Sequence, residues 1–152
     1  MYKRSIWTLK RAIKAHPPLT YLSDIYFHTA LAYCNLERYE DSIYPFSWCI
    51  ELIPSDLRYY HERAKAYQII DKHDMAIVDF TFVIKKNVKN AHAYFRRAFS
   101  YKALKQYDLA AEDFETAKAL DPENQLLVVN YKKLGTVKYI VLCKPGEEKV
   151  FI

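Results

Sequence analysis

The chain has 152 residues, 51% of them hydrophobic, and only two glycines, Gly135 and Gly146; this suits one helical domain and excludes a glycine-rich phosphate loop. Its formal charge of +5 sits in residues 1–22, where Lys3, Arg4, Lys10, Arg11 and Lys14 have no acid among them, while the rest balances at 18 basic and 18 acidic side chains. A neutral body argues against general nucleic-acid binding, which needs a basic stripe, and no apolar run approaches the roughly 20 residues that span a bilayer.

The first expected element is a helix over residues 1–16. Ile6, Leu9, Ala12 and Ile13 fall on one helical face, and Pro17 and Pro18 end it. Residues 1–22 therefore read as a helix and a linker. Their acid-free, basic composition also fits a mitochondrial presequence; the apolar face favours the structural reading.

From Ser23 the chain repeats with a period of 34 residues, giving copies at 23–56, 57–90 and 91–124. Position four is Tyr26, Tyr60 and Tyr94; position eight is Ala30, Ala64 and Ala98; position eleven is Tyr33, Tyr67 and Tyr101. Position twenty is Ser42, Ala76 and Ala110, and position twenty-four is Phe46, Phe80 and Phe114. Pro54, Val88 and Pro122 close the copies. Within a copy, Tyr60, Ala64 and Tyr67 step by four and three, so they share a helix face, and Ala64 is small where a neighbouring helix comes close. Polar turns such as Asp71-Lys72-His73-Asp74 separate this helix from a second one, on which Ala76, Phe80 and Val83 line the inner face. Glu40, Asp74 and Asp108 stand near the starts of the second helices, where acids complement the exposed amides. Pro45 lies inside one second helix, so a late start or a kink is expected there, with the ring on a solvent face. Val88 in place of proline lets the second copy's last helix end less sharply, near Asn87.

Beyond Asn124 the pattern changes. Residues 125–135 read as a capping helix ending at Gly135, and 136–152 as an extended tail or short hairpin turning at Lys144-Pro145-Gly146-Glu147. Cys34, Cys49 and Cys143 have no metal-like spacing. Without a visible secretory signal, reduced thiols and a cytoplasmic setting are expected, with Cys49 a small buried hydrophobe.

An aromatic, a small residue, an aromatic, a small residue, an aromatic and a closing proline, repeated every 34 residues over two-thirds of the chain, resembles the tetratricopeptide repeat. The resemblance implies an all-α, right-handed superhelical solenoid of helix-turn-helix repeats, here with a preceding half repeat at residues 1–16 and the short tail. It also implies a protein–protein interaction module, an adaptor or scaffold piece that binds a peptide segment or helix in its concave groove. On the family's geometry, first-helix positions line that groove. They supply Phe27, His28, Leu31, Arg58, His61, Glu62, Lys65, Gln68, His92, Phe95, Arg96, Phe99 and Lys102. Two aromatic-rich ends flank a charged middle, a mixture suited to a partner with apolar and acidic side chains. One branch of the family grips chaperone C-terminal tails with a clamp of two lysines, two asparagines and an arginine. The matching positions are Phe27, Leu31, Glu62, His92 and Arg96; Arg96 alone fits, and chaperone-tail binding is not expected.

Leu127-Val128-Val129-Asn130-Tyr131-Lys132-Lys133 and Cys143-Lys144-Pro145-Gly146-Glu147-Glu148 resemble the ends of long repeat proteins from ciliated eukaryotes. This implies an alternative, a structural segment of an axonemal protein. A helical-repeat RNA-binding protein is a further alternative, carried by the basic start. The sequence holds no constellation for catalysis, metal or cofactor, and no enzyme is expected. His28, His61 and His92 lack carboxylate or cysteine partners in register and read as polar lining. Asp79 and Asp113 recur by repeat symmetry and read as a solvated face.

Overall fold

The computed structural model describes residues 2–14, 18–123, 141–142 and 148–149. Seven helices follow one another among them: α1 (Tyr2–Lys14), α2 (Leu19–Asn35), α3 (Tyr39–Leu52), α4 (Leu57–Ile69), α5 (His73–Lys86), α6 (Ala91–Ala103) and α7 (Tyr107–Leu120). The fold is all-α, built from helix-turn-helix pairs. A two-stranded antiparallel hairpin follows, β1 (Val141–Leu142) and β2 (Glu148–Lys149), in the register Val141 to Lys149 and Leu142 to Glu148. The expected capping helix at 125–135 lies outside the described residues.

The small residues at position eight explain the close helix pairs. Ala30, Ala64 and Ala98 are all fully buried, as are Ser42 and Ala76 at position twenty. Phe46 and Phe80 fill the space beside them and are equally inaccessible. Cys49 is buried too; its thiol donates to the Ser23 carbonyl at 3.4 Å. Burial pushes that thiol's pKa up to about 12, which makes it an inert packing group.

Each first helix ends in the same way. Glu37, Asp71 and Lys105, at position fifteen of their copies, have φ of 58°, 58° and 61°. The following N–H of Arg38, Lys72 and Gln106 reaches back to the carbonyl of Tyr33, Tyr67 and Tyr101 at 3.0, 2.9 and 2.8 Å. This left-handed closure satisfies the last carbonyls and reverses the chain. The next helix then opens with an acid in its first turn: Glu40 and Asp41, Asp74, or Asp108. Side-chain caps stand instead at the first helices, where Asp56 accepts from the Arg58 amide and Asn90 from the Ala93 amide.

Three expectations change. Helix α2 begins at Leu19, not Ser23, because Pro18 can stand before a helix and residues 19–22 continue its turns; the linker is correspondingly short. Pro45 is buried, and α3 runs through it from Tyr39 to Leu52, so the ring is a core group and not a solvent-face one. Asp79 and Asp113 are 3% and 4% exposed. They are the buried anions of two inter-helix ion pairs and form no solvated face.

Those pairs are the main polar feature of the core. Arg63 at position seven donates through Nε and Nη2 to Asp79 at position twenty-three, at 2.8 and 2.7 Å. Arg97 and Asp113 repeat the arrangement at 2.7 and 2.7 Å. The recurring tyrosines of positions four and eleven form the slot walls. The Arg63 guanidinium lies 6.0 Å from the Tyr60 ring and 5.8 Å from Tyr67, and Arg97 lies 5.6 Å from Tyr94 and 5.5 Å from Tyr101. Bidentate geometry and aromatic faces suit the planar guanidinium. Burial opposes the charge on each arginine, yet the carboxylate bonds more than offset it and hold the pKa above the ordinary value. In the first copy Thr29 and Pro45 replace the two partners. Thr29 there turns its hydroxyl to the Ile25 carbonyl at 2.7 Å, and Tyr26 stacks on Trp48 at 5.9 Å.

The molecule divides into two compact units, Met1–Val83 and Ile84–Ile152. In the first, Ala30, Phe46 and Ala66 form one cluster, covered by Phe27, Leu31, Cys34, Tyr39 and Ile43. Helix α1 docks on α2 through Ile6, which joins Ala32 and Tyr33. Ile6 is therefore covered, while Trp7 beside it is 59% exposed. In the second unit Phe95, Ala98, Ala110, Phe114 and Ala117 make the core.

Candidate functional site

The candidate site is the face of the first helices that the cores do not use. Positions eight and ten point inward: Ala30 and Ala32, Ala64 and Ala66, Ala98 and Ser100 are all buried. Helical spacing then turns positions two, six, nine and twelve to another side, and burial agrees. His28, Arg58, His92 and Arg96 are exposed, and Leu31, Glu62, Lys65, Phe99 and Lys102 are half-buried.

In the first unit α2 and α4 carry this face. Phe27 sits half-buried, with Phe46 at 6.1 Å and Tyr59 at 5.3 Å. The Arg58 guanidinium lies 5.8 Å above its ring and is fixed there by Asp56, at 2.6 Å. That bond holds the Asp56 carboxyl below its usual range. His61 meets the Phe80 ring edge-on at 5.4 Å. Glu62 and Lys65 pair at 2.8 Å. The charged middle is thus internally matched, and Phe27 and Leu31 serve the core and the surface together.

Cys34 belongs to the same face and was absent from the expected set. Burial raises its thiol pKa, a hydrogen bond with Ser42 works the other way, and Glu62 and Lys65 lie within electrostatic reach. The signal was available, since Cys34 occupies position twelve as Gln68 and Lys102 do.

In the second unit α6 presents His92, Arg96, Phe99 and Lys102. Phe95, expected among the groove anchors, is 6% exposed; it packs edge-to-face on Phe99 at 4.9 Å and Phe114 at 5.7 Å. It supports Phe99 from below and is not itself a contact surface. Burial lowers the Lys102 pKa. Among the described residues no group of three or more His, Cys, Asp or Glu side chains could hold a metal ion, and no helix is long and apolar enough to cross a membrane.

Comparison with known proteins converges on the same repeat. The tetratricopeptide repeat family model matches residues 91–124. The Arabidopsis OM64 TPR domain superposes with a TM-score of 0.70 at 26% identity, over 77% of this chain and 97% of that one. The second TPR domain of human RPAP3, solved in complex with the HSP70 peptide SGPTIEEVD, gives 0.71 at 23% identity, over 79% and 100%. YrrB, a TPR protein with an unusual peptide-binding site, gives 0.78 at 18% identity, over 87% and 66%. No curated protein matches the chain by sequence. The third copy matches the tetratricopeptide repeat family directly, and the 34-residue period and paired helices give the chain the fold of tetratricopeptide repeat domains.

Proposed function

We propose that this chain is a protein–protein interaction module that binds a peptide segment of a partner on the open face of its first helices, as an adaptor or scaffold piece of a larger assembly. The observation that carries this reading is the split within each first helix. Small residues at positions eight and ten are consumed by packing, while Arg58, His92, Arg96, Leu31 and Phe99 remain wholly or partly open. Half-open apolar groups beside arginines are the residue types that anchor interfaces. The peptide complex of human RPAP3 supports the same use of the fold.

The partner's chemistry follows from the charges. Glu62 pairs with Lys65, and the face of α6 in the second unit carries the cations Arg96 and Lys102 beside the half-open Phe99. A segment with apolar side chains and acidic groups fits that surface. A chaperone C-terminal tail does not: Phe27 and Leu31 stand packed on the core where the clamp needs polar donors, and Glu62 would repel a carboxylate.

The test is the amide spectrum of the labelled full chain, titrated with a peptide selected from a random display library. Shifts are expected on the open positions of α2, α4 and α6. Shifts confined to α3, α5 and α7 would remove the groove reading in favour of a structural scaffold. Salt-dependent binding of RNA in place of peptide would favour the nucleic-acid alternative.

A further inference from the structure

Two exposed helix faces outside the groove carry opposite charge, one displaying a tryptophan and the other a tyrosine and a tryptophan. On α1, Lys3, Trp7, Lys10 and Arg11 share one exposed face. The helix contains no acid, and the Arg11 guanidinium lies 5.0 Å over the Trp7 ring. On α3, Glu40, Tyr44, Trp48 and Glu51 form an exposed stripe at helical spacing. That helix contains no Lys, Arg or His. Tyr44 is 65% and Trp48 40% exposed, and the two rings meet edge-on at 6.2 Å. Asp41 beside them is already paired with Arg38, at 2.7 Å, so Glu40 and Glu51 bracket the aromatics as the outward-facing charges.

Exposed Trp and Tyr in this number are uncommon on a face that meets only water, and they are the residue types that dominate interface energetics. Neither face feeds the groove. Both helices pack on α2 within one compact unit. The chain thus carries both halves of a complementary contact, a basic Trp face and an acidic Tyr–Trp face, on separate helices.

We propose that two copies of this chain associate by laying the Lys3–Trp7–Lys10–Arg11 face of α1 from one copy on the Glu40–Tyr44–Trp48–Glu51 face of α3 of the other, reciprocally. A two-fold arrangement uses each face once per copy and leaves none open, which closes the assembly at a dimer. Aromatic burial supplies the attraction, and the charges select the pairing and its orientation.

Sedimentation velocity of the full chain across a wide concentration range tests this. Wild type is expected to move from the 18.0 kDa monomer to twice that mass, and less readily at high salt. Glu40→Lys/Glu51→Lys and Lys3→Glu/Lys10→Glu should each raise the dissociation constant by about tenfold or more. Because both pairs are exposed, helical content should stay unchanged. An equimolar mixture of the two variants should dimerise again, since each reversed face then meets its complement. A wild type that stays monomeric overturns the proposal. So does a dimer indifferent to both reversals, or one lost on reversing α1 but not α3, which would place another partner surface opposite α1. Growth beyond the dimer overturns the reciprocal arrangement.

Discussion

Removing the Asp79 carboxylate should be among the most damaging single changes to the first unit. Asp79 is 4% exposed and Arg63 17% exposed at the side chain, and they share two charge-assisted hydrogen bonds of 2.8 and 2.7 Å. After Asp79→Ala the guanidinium keeps only the Ser47 hydroxyl, at 3.0 Å, and the two tyrosine rings. Stripping one partner from a buried pair costs about 3–5 kcal/mol. Residual access of water to Arg63 places this case near the low end, about 3 kcal/mol. For a chain of this size that lowers Tm by roughly 6–12 °C. The assay is urea and thermal unfolding followed by far-UV circular dichroism. A second variant isolates the cause. Arg63→Met/Asp79→Leu removes both charges and keeps the volume, so its stability should lie within about 1 kcal/mol of wild type. An Asp79→Ala loss below about 1 kcal/mol would refute the reasoning. So would a double variant as unstable as the single one, which would make the pair's charge irrelevant.

Four further outcomes follow from the same architecture. Ala98→Leu, at a fully buried helix contact, should overpack it and cost about 1–3 kcal/mol in a urea melt. Lys105→Gly, at a φ of 61°, should raise stability by about 0.5–1 kcal/mol, because the left-handed turn suits glycine; a loss would mean the side chain contributes packing. Cys49, with its thiol pushed up to about 12 by burial, should resist alkylation at neutral pH in the folded chain and react once unfolded in urea. Asp56→Ala should cost about 1 kcal/mol at neutral pH by removing the α4 cap. The Asp56 pKa is held below 3.8 in the fold, so its contribution is present above that value and fades as pH falls through the folded one. The gap between variant and wild type should therefore close in acid.

The sequence made the repeat legible because packing leaves periodic marks. Alanine at position eight and phenylalanine at position twenty-four are demanded by helix contact, and that demand recurs in every copy. The buried ion pairs left the same periodic mark, but an acid recurring on a helix reads by default as solvated. Its burial follows from a guanidinium sixteen residues earlier, a spacing that no single-helix pattern exposes. The arginines and the tyrosines at positions four and eleven were each visible alone; their joint use as a slot needed three dimensions. Pro45 was misplaced for a related reason. It occupies the aspartate position of a copy that lacks the arginine, and there it is buried. Groove positions rest on analogy of register, and register does not report depth. Phe95 and Phe99 are one turn apart on the same helix, and only Phe99 reaches the surface.

If the chain works as proposed, the open face of the first helices binds a partner segment. Isothermal titration of a display-selected peptide against wild type, Phe99→Ala, Arg96→Glu and the exposed α7 variant Leu109→Ala decides whether it does. Affinity losses of more than about 1 kcal/mol are expected for Phe99→Ala and Arg96→Glu. The Arg96→Glu loss should shrink at high salt, and Leu109→Ala should bind like wild type. Equal affinity across all four proteins would contradict it.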